Sequence, residues 1–164
     1  MNTLSFKPNV VAAVPALALF LLFQACGGSD DAVAQQAAAD PVEGVWEAAV
    51  TVKDCASGAT LATFRGSQVF HRGGTLTDTN SAPTATRGPG FGTWTRSDST
   101  YTGAFRFYTY DAAGVPSGTA RVTRTFTLSA DGKSASSTNK TQFEDVAGAP
   151  TRTVCGSDVG TRVL

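Results

Sequence analysis

The sequence is short of net charge, of histidine and of long apolar runs, and each shortage removes a class of function. Basic and acidic residues balance at 13 each among 164. Lys7 is the only charged residue of the first 25, so the remainder carries 12 basic against 13 acidic groups. A chain so close to neutral has no electrostatic footprint for nucleic acid and no basic run to grip an anionic membrane surface. The longest apolar run, Val10 to Phe23, has 14 residues, short of the roughly 20 that a transmembrane helix needs. The only histidine is His71, and a catalytic role would require an acid or nucleophile held against it. No Gly-x-Ser-x-Gly elbow occurs, nor an Asp-x-Asp-x-Asp-Gly calcium loop. Asp111, Glu144 and Asp145 fall at turns, where acidic residues are common for local reasons. Gly88, Gly90 and Gly92 with Pro89 would need a following helix to cradle phosphate, and a strand follows instead. No catalytic set, metal site or cofactor is expected, so the chain is read as non-enzymatic.

The first 25 residues have the anatomy of an export signal: Lys7, then an uncharged stretch with an apolar core, then a small residue. A buried core helix is a poorer reading because the stretch has no polar face. The junction reads Leu22-Phe23-Gln24-Ala25-Cys26-Gly27-Gly28 and resembles the lipobox of bacterial lipoproteins, with Phe23 where Leu is usual and a bulkier Gln24 beside it. The resemblance implies cleavage before Cys26, a diacylglycerol on its thiol and an acyl chain such as palmitate on the new amino group. One chain holds a protein to a membrane only marginally, and several hold it stably. In the sorting rule of such lipoproteins, a residue other than Asp after the cysteine, here Gly27, implies the outer membrane, facing the periplasm. A plain secretory signal cleaved near Ala34, giving a secreted domain without lipid, is the alternative. The organisation expected is a signal peptide over 1–25, a lipidated cysteine and flexible tether over 26–42, and a domain over 43–164. The Gly, Ser, Asp, Ala and Gln of the tether have little to bury.

Of the three cysteines, Cys55 and Cys155 remain if Cys26 carries lipid. An exported domain sits where disulfides persist, and a Cys55–Cys155 bridge would close most of the domain into one loop. Chain entropy alone gives such a loop about 4.7 kcal/mol. Two metal-ligand thiols are the alternative, without His or Asp nearby at ligand spacing.

From Glu43 onward the period is two, not 3.6. Trp46, Ala48, Val50 and Val52 alternate with polar residues in a first strand. Thr60 to His71, with a bulge at Gly66, Thr75 to Asn80 and Phe91 to Arg96 follow, the last after the loop Ser81 to Gly90. Tyr101, Gly103, Phe105, Phe107 and Thr109 share one face of the next strand; Thr102, Ala104, Arg106, Tyr108 and Tyr110 share the other. After the loop Asp111 to Gly118, Ala120, Val122, Arg124, Phe126 and Leu128 alternate with Arg121 and a row of threonines suited to a solvated face. Asp131-Gly132 marks a hairpin leading to Ser134 to Glu144, and Thr151 to Val163 is last. About eight antiparallel strands with one apolar face make an all-β fold, an up-and-down barrel or a sandwich. The barrel is favoured because closure removes the edges and brings the first and last strands, with Cys55 and Cys155, together.

Gly44-Val45-Trp46 opens the first strand and Arg162 ends the last. This resembles the lipocalin and calycin pattern, in which a Gly-x-Trp tryptophan is covered by a late arginine; Gly92-Thr93-Trp94 is a second copy of the tripeptide. Phe70-His71-Arg72-Gly73-Gly74-Thr75 and Gly90-Phe91-Gly92-Thr93-Trp94 are also similar to segments of small proteobacterial lipoproteins of unassigned function. Two roles follow. One is an envelope lipoprotein acting as a structural or interaction module toward another envelope protein, its barrel filled by Trp46, Phe64, Phe105, Phe107, Phe126 and Leu128, without a buried polar cluster. The other is a lipocalin-like carrier of a small apolar ligand, with a cavity of at least roughly 300 Å³. Trp46, Phe64, Trp94, Phe105, Phe107 and Phe126 are the expected core or ligand lining in either case. The strand Phe105 to Tyr110 is read as sheet packing first, and as an aromatic surface with Arg106 for a ligand or partner second.

Overall fold

The computed structural model describes residues 38–82 and 86–163. The signal peptide, Cys26 and most of the tether lie outside them. The described residues hold eight strands and no helix: β1 (Gly44–Lys53), β2 (Thr60–His71), β3 (Thr75–Asn80), β4 (Gly90–Ser97), β5 (Thr100–Tyr110), β6 (Pro116–Leu128), β7 (Ser134–Glu144) and β8 (Pro150–Arg162). Each strand pairs antiparallel with its neighbours in sequence, and β8 pairs with β1, so the sheet closes as an up-and-down barrel. The sandwich alternative is thereby excluded.

Alternation makes the walls. In β6, Gly118, Ala120, Val122, Arg124 and Phe126 are buried while Arg121, Thr123, Thr125 and Thr127 are exposed. Closure falls where the last strand meets the first: Trp46 faces Arg162 and Lys53 faces Cys155. Cys55, in the turn after β1, forms a disulfide with Cys155 of β8, with the two Cα atoms 4.9 Å apart. The bridge straddles the seam between the first strand and the last.

Three details differ from expectation. β2 has no bulge at Gly66, which pairs in continuous register with Ala48 and Asn80; its extra residue is Leu61, passed over where Val52 pairs with Ala62 and Lys53 with Thr60. β6 starts at Pro116, because the Asp111 loop closes on itself: Asp111 N–H donates to the Val115 carbonyl, and the amides of Ala113 and Val115 donate to the Asp111 carboxylate. A proline is acceptable as the first residue of a strand, where its missing N–H is least costly. The domain also begins before Glu43. Val42, expected in the tether, is fully buried, and Asp40 accepts from Val42 N–H, the Tyr101 hydroxyl and Arg96. Burial raises the Asp40 carboxyl, but these donors outweigh it and hold it below the usual carboxylate range. Burial, with Asp40 as neighbour, pushes the Tyr101 hydroxyl up to about 12.

One end of the barrel is packed solid. Phe126 stacks on Tyr101 with ring centroids 5.0 Å apart and meets Phe70 at 5.4 Å, while Trp94 lies edge-on to Phe70 at 6.3 Å. Leu76, Val42 and Trp46 complete this plug. Both indoles find carbonyl partners, Trp46 Nε1 at Val42 and Trp94 Nε1 at His71. The Arg162 guanidinium lies 4.6 Å from the Trp46 ring centroid and donates to the carbonyls of Pro41, Glu43 and Gly132. It thus ties the entering chain and the β6–β7 turn to the last strand.

Candidate functional site: a half-open barrel with a polar floor

The opposite end is hollow. Its inward positions include Ala48, Ala62 and Gly66, too small to meet across the barrel, and a cavity of about 660 Å³ remains. Val50, Val52, Leu61, Phe64, Phe105, Phe107, Val122, Phe143 and Val154 are among its walls, and Tyr110, Glu144, Asp145 and Arg152 stand among its lining residues near the strand ends. The barrel expected to be filled by Trp46, Phe64, Phe105, Phe107, Phe126 and Leu128 is therefore filled only in its closed half. Trp46, Trp94 and Phe126 belong to the plug, with Leu128 packed against it; Phe64, Phe105 and Phe107 line the cavity. Phe105 touches both regions.

The second correction is a buried polar cluster, which the filled-barrel reading excluded. Arg124 points inward from β6 and donates to Gln68 and, at 3.0 Å, to Asp158. Gln68 donates in turn to Asp78 at 3.0 Å. Arg87 reaches in from the β3–β4 connection, crosses the Phe107 ring with its guanidinium carbon 3.9 Å from the centroid, and pairs with Asp78. Ser137 and Asn139 donate to the second oxygen of Asp158. Gln68, Asp78, Arg124, Ser137 and Asp158 are all buried. Gln68, Arg124 and Asp158 border both the packed end and the cavity, so the cluster is the floor of the hollow half.

Burial dominates the chemistry of this floor. It raises the Asp78 carboxyl above its ordinary value even though Arg87, Gln68 and Arg124 pull the other way. It lowers Arg124 against the pull of Asp158 and Asp78. Charges taken from water are tolerated because each has a partner of opposite sign. Two donors are left over: Arg87 Nε and Arg124 Nε are buried and have no acceptor among the described residues.

The other residues singled out by sequence take no part in the polar floor. His71 is exposed at the end of β2, on the closed side, with Nε2 3.3 Å from the Thr77 hydroxyl. Asp111 and Asp145 organise loops of the same design, each taking two amides of its own turn. Glu144 pairs with Arg121 at 2.8 Å and accepts from Thr119. Tyr108 is exposed beside Arg106, and Phe91 pairs with Arg106 from β4 and is also exposed. Tyr110, expected on the outer face, is among the cavity's lining residues, at the strand end where the β5–β6 register slips. Among the described residues, no three His, Cys, Asp or Glu side chains are placed to hold a metal ion.

Compared with known proteins, the chain matches no protein-family model, and no curated protein is similar to it in sequence.

Proposed function

We propose that the chain is an exported, lipid-anchored barrel that holds a small amphipathic molecule in its open half, without performing chemistry on it. The observation that carries this reading is the cavity of about 660 Å³ over a buried polar floor. Pockets of roughly 300–1,000 Å³ with apolar walls and a few placed polar groups are the usual form of a small-molecule site. A barrel that served only as a scaffold would gain stability by filling this space. The anchor rests on the junction Leu22 to Gly28 and on Cys26 as the lipid-bearing residue, with the outer membrane facing the periplasm as its place. The lipocalin and calycin class fits the closed eight-strand barrel and the Arg162–Trp46 contact.

The test is a fluorescence titration of the full-length chain with an uncharged naphthylamine dye, beside Val50→Trp. Val50 faces the cavity and not the plug, so the larger ring fills the site and leaves other surfaces alone. Saturable one-to-one binding that the substitution abolishes is the expected result. Equal binding by both proteins, or none by either, would overturn the reading. A second reading, a docking module for another envelope protein, has in its favour the outward Phe91 and Tyr108, 60% and 58% exposed.

A further inference from the structure

We propose that the open end of the barrel docks on a phospholipid surface, so that an amphiphile passes between bilayer and cavity without crossing water. The inference rests on the binding role proposed above and adds the partner that faces the mouth. The two ends of the barrel differ in polarity. Strand alternation puts the loops after β1, β3, β5 and β7 at one end, the end of the cavity. Three of them share a design: Asp54-Cys55-Ala56-Ser57-Gly58-Ala59, Asp111-Ala112-Ala113-Gly114-Val115 and Asp145-Val146-Ala147-Gly148-Ala149. In each, the aspartate is the only charge, and its carboxylate accepts two amides of its own loop. In the remaining connection, Ser81 to Gly90, the only charged residue is Arg87, buried against Asp78. The tips of the three loops thus expose small uncharged side chains and backbone. The closed end is the reverse: Arg72, Asp98, Asp131 and Lys133 stand exposed in its three turns.

Behind the tips, the side chains follow the order of a lipid interface. Leu61, Val115 and Val146 are each more than half exposed at the open end. Tyr108, exposed as well, stands on β5 two residues before its end, and a tyrosine ring suits the headgroup level. Lys53 ends β1, and Arg152 lies at the start of β8 over the Phe143 ring. Neither pairs with a carboxylate among the described residues, so both are free for lipid phosphates. Protein partners are gripped by aromatic and arginine anchors at the centre of a patch. The loop tips hold no such anchor and ring a hole, which suits a fluid surface. The chain is also long enough. From Cys26 to Ala38, across residues 27–37, an extended chain spans up to about 40 Å. The ten residues of β1 rise about 33 Å. An anchor on Cys26 therefore allows the end of the barrel far from Val42 to meet the same membrane.

The experiment is NMR of the full-length chain in phosphatidylcholine nanodiscs, some of whose lipids carry a nitroxide on the headgroup. Amides that approach the headgroups lose intensity. Ala56, Val115 and Val146 at the open end should lose most of theirs, while Gly73, Asp98 and Gly132 at the closed end keep theirs. The double variant Val115→Asp, Val146→Asp changes two exposed positions and should restore the open-end signals. Equal losses at both ends, losses at the closed end alone, no losses anywhere, or losses unchanged in the variant would each overturn the docking. The dye titration above, run without lipid, reads the binding role separately. Dye bound by a protein whose open loops stay clear of the nitroxide overturns the docking and leaves the binding role standing. Open-loop losses in a protein that takes up no dye overturn the binding role and leave the docking face standing.

Discussion

Arg124 is the residue on which the interior turns. It sits between Val122 and Phe126 on the inward face of β6, with its guanidinium 4.7 Å from the Phe126 ring centroid on one side and bonded to Asp158 and Gln68 on the other. Opposite it in β5 stands Gly103, where an added Cβ would lie 3.2 Å from Arg124 Cγ; the glycine makes room for the side chain. Removing Arg124 would strand the Asp158 charge in the interior, so Arg124→Met should cost about 3–5 kcal/mol in urea unfolding. Pairing it with Asp158→Asn removes the stranded charge and should recover most of that loss. Equal losses in the single and double variants would contradict the ion-pair account. None of this was read from the sequence, although the signal is there. Gln68, Asp78, Arg124, Ser137 and Asp158 each fall at an inward position of the period-two pattern. Within one strand such a residue looks like an interruption of an apolar face. Only closure brings five interruptions to one height, where they satisfy one another.

At the scale of the strand, alternation was a sufficient guide because one face meets the interior and the other meets water all along the barrel. It placed all eight strands, the two faces of β5 up to Phe107 and the threonine rows outside. It failed where local geometry overrides the period. The slips at Val52/Lys53, Thr109/Tyr110 and Phe143/Glu144 leave no mark in hydrophobicity, and one of them falls at Tyr110. Gly66 was misjudged for a related reason: a strand glycine signals a bulge, a close approach or simple space, and sequence alone does not separate these. Gly66 provides space, since a Cβ there would meet Val50 at an ordinary 3.6 Å. Gly92 permits close approach, since a Cβ there would overlap the Ala104 carbonyl oxygen and Phe105 Cα. Gly92→Ala should therefore destabilise the β4–β5 pairing by about 1–3 kcal/mol, while Gly66→Ala should be neutral or slightly stabilising. Thermal unfolding of the two variants checks the contrast, and equal shifts would refute it.

At the scale of the molecule, the barrel is asymmetric along its axis: an aromatic plug at one end, a hydrogen-bonded ionic floor, and an open apolar cup at the other. The closed end is fastened by Arg162 across Trp46 and by Asp40 under Tyr101. The seam near the open end is fastened by Cys55–Cys155, which was legible from cysteine count and strand order together. Because the bridge joins residues 100 apart in sequence, reduction should lower the urea midpoint by an amount equivalent to at most about 4.7 kcal/mol, and an unchanged midpoint would mean that the β1–β8 ladder alone sets closure. Whether the cup was hollow could not be decided from residue types. The same alanines and glycines that leave space in one barrel allow close packing in another, and the volume depends on strand tilt and register.

The central claim is that the open half, and not the plug, is where a small molecule binds. The most direct measurement is a heteronuclear NMR titration of the protein with dodecanol, following backbone amides together with the two indole N–H signals. The account predicts saturable shifts at cavity residues such as Val50, Phe64, Phe107 and Val154, with the Trp46 and Trp94 indoles unmoved, because these are bonded to Val42 and His71 at the closed end. Shifts confined to the outer face or to the indoles, or none at all, would contradict it.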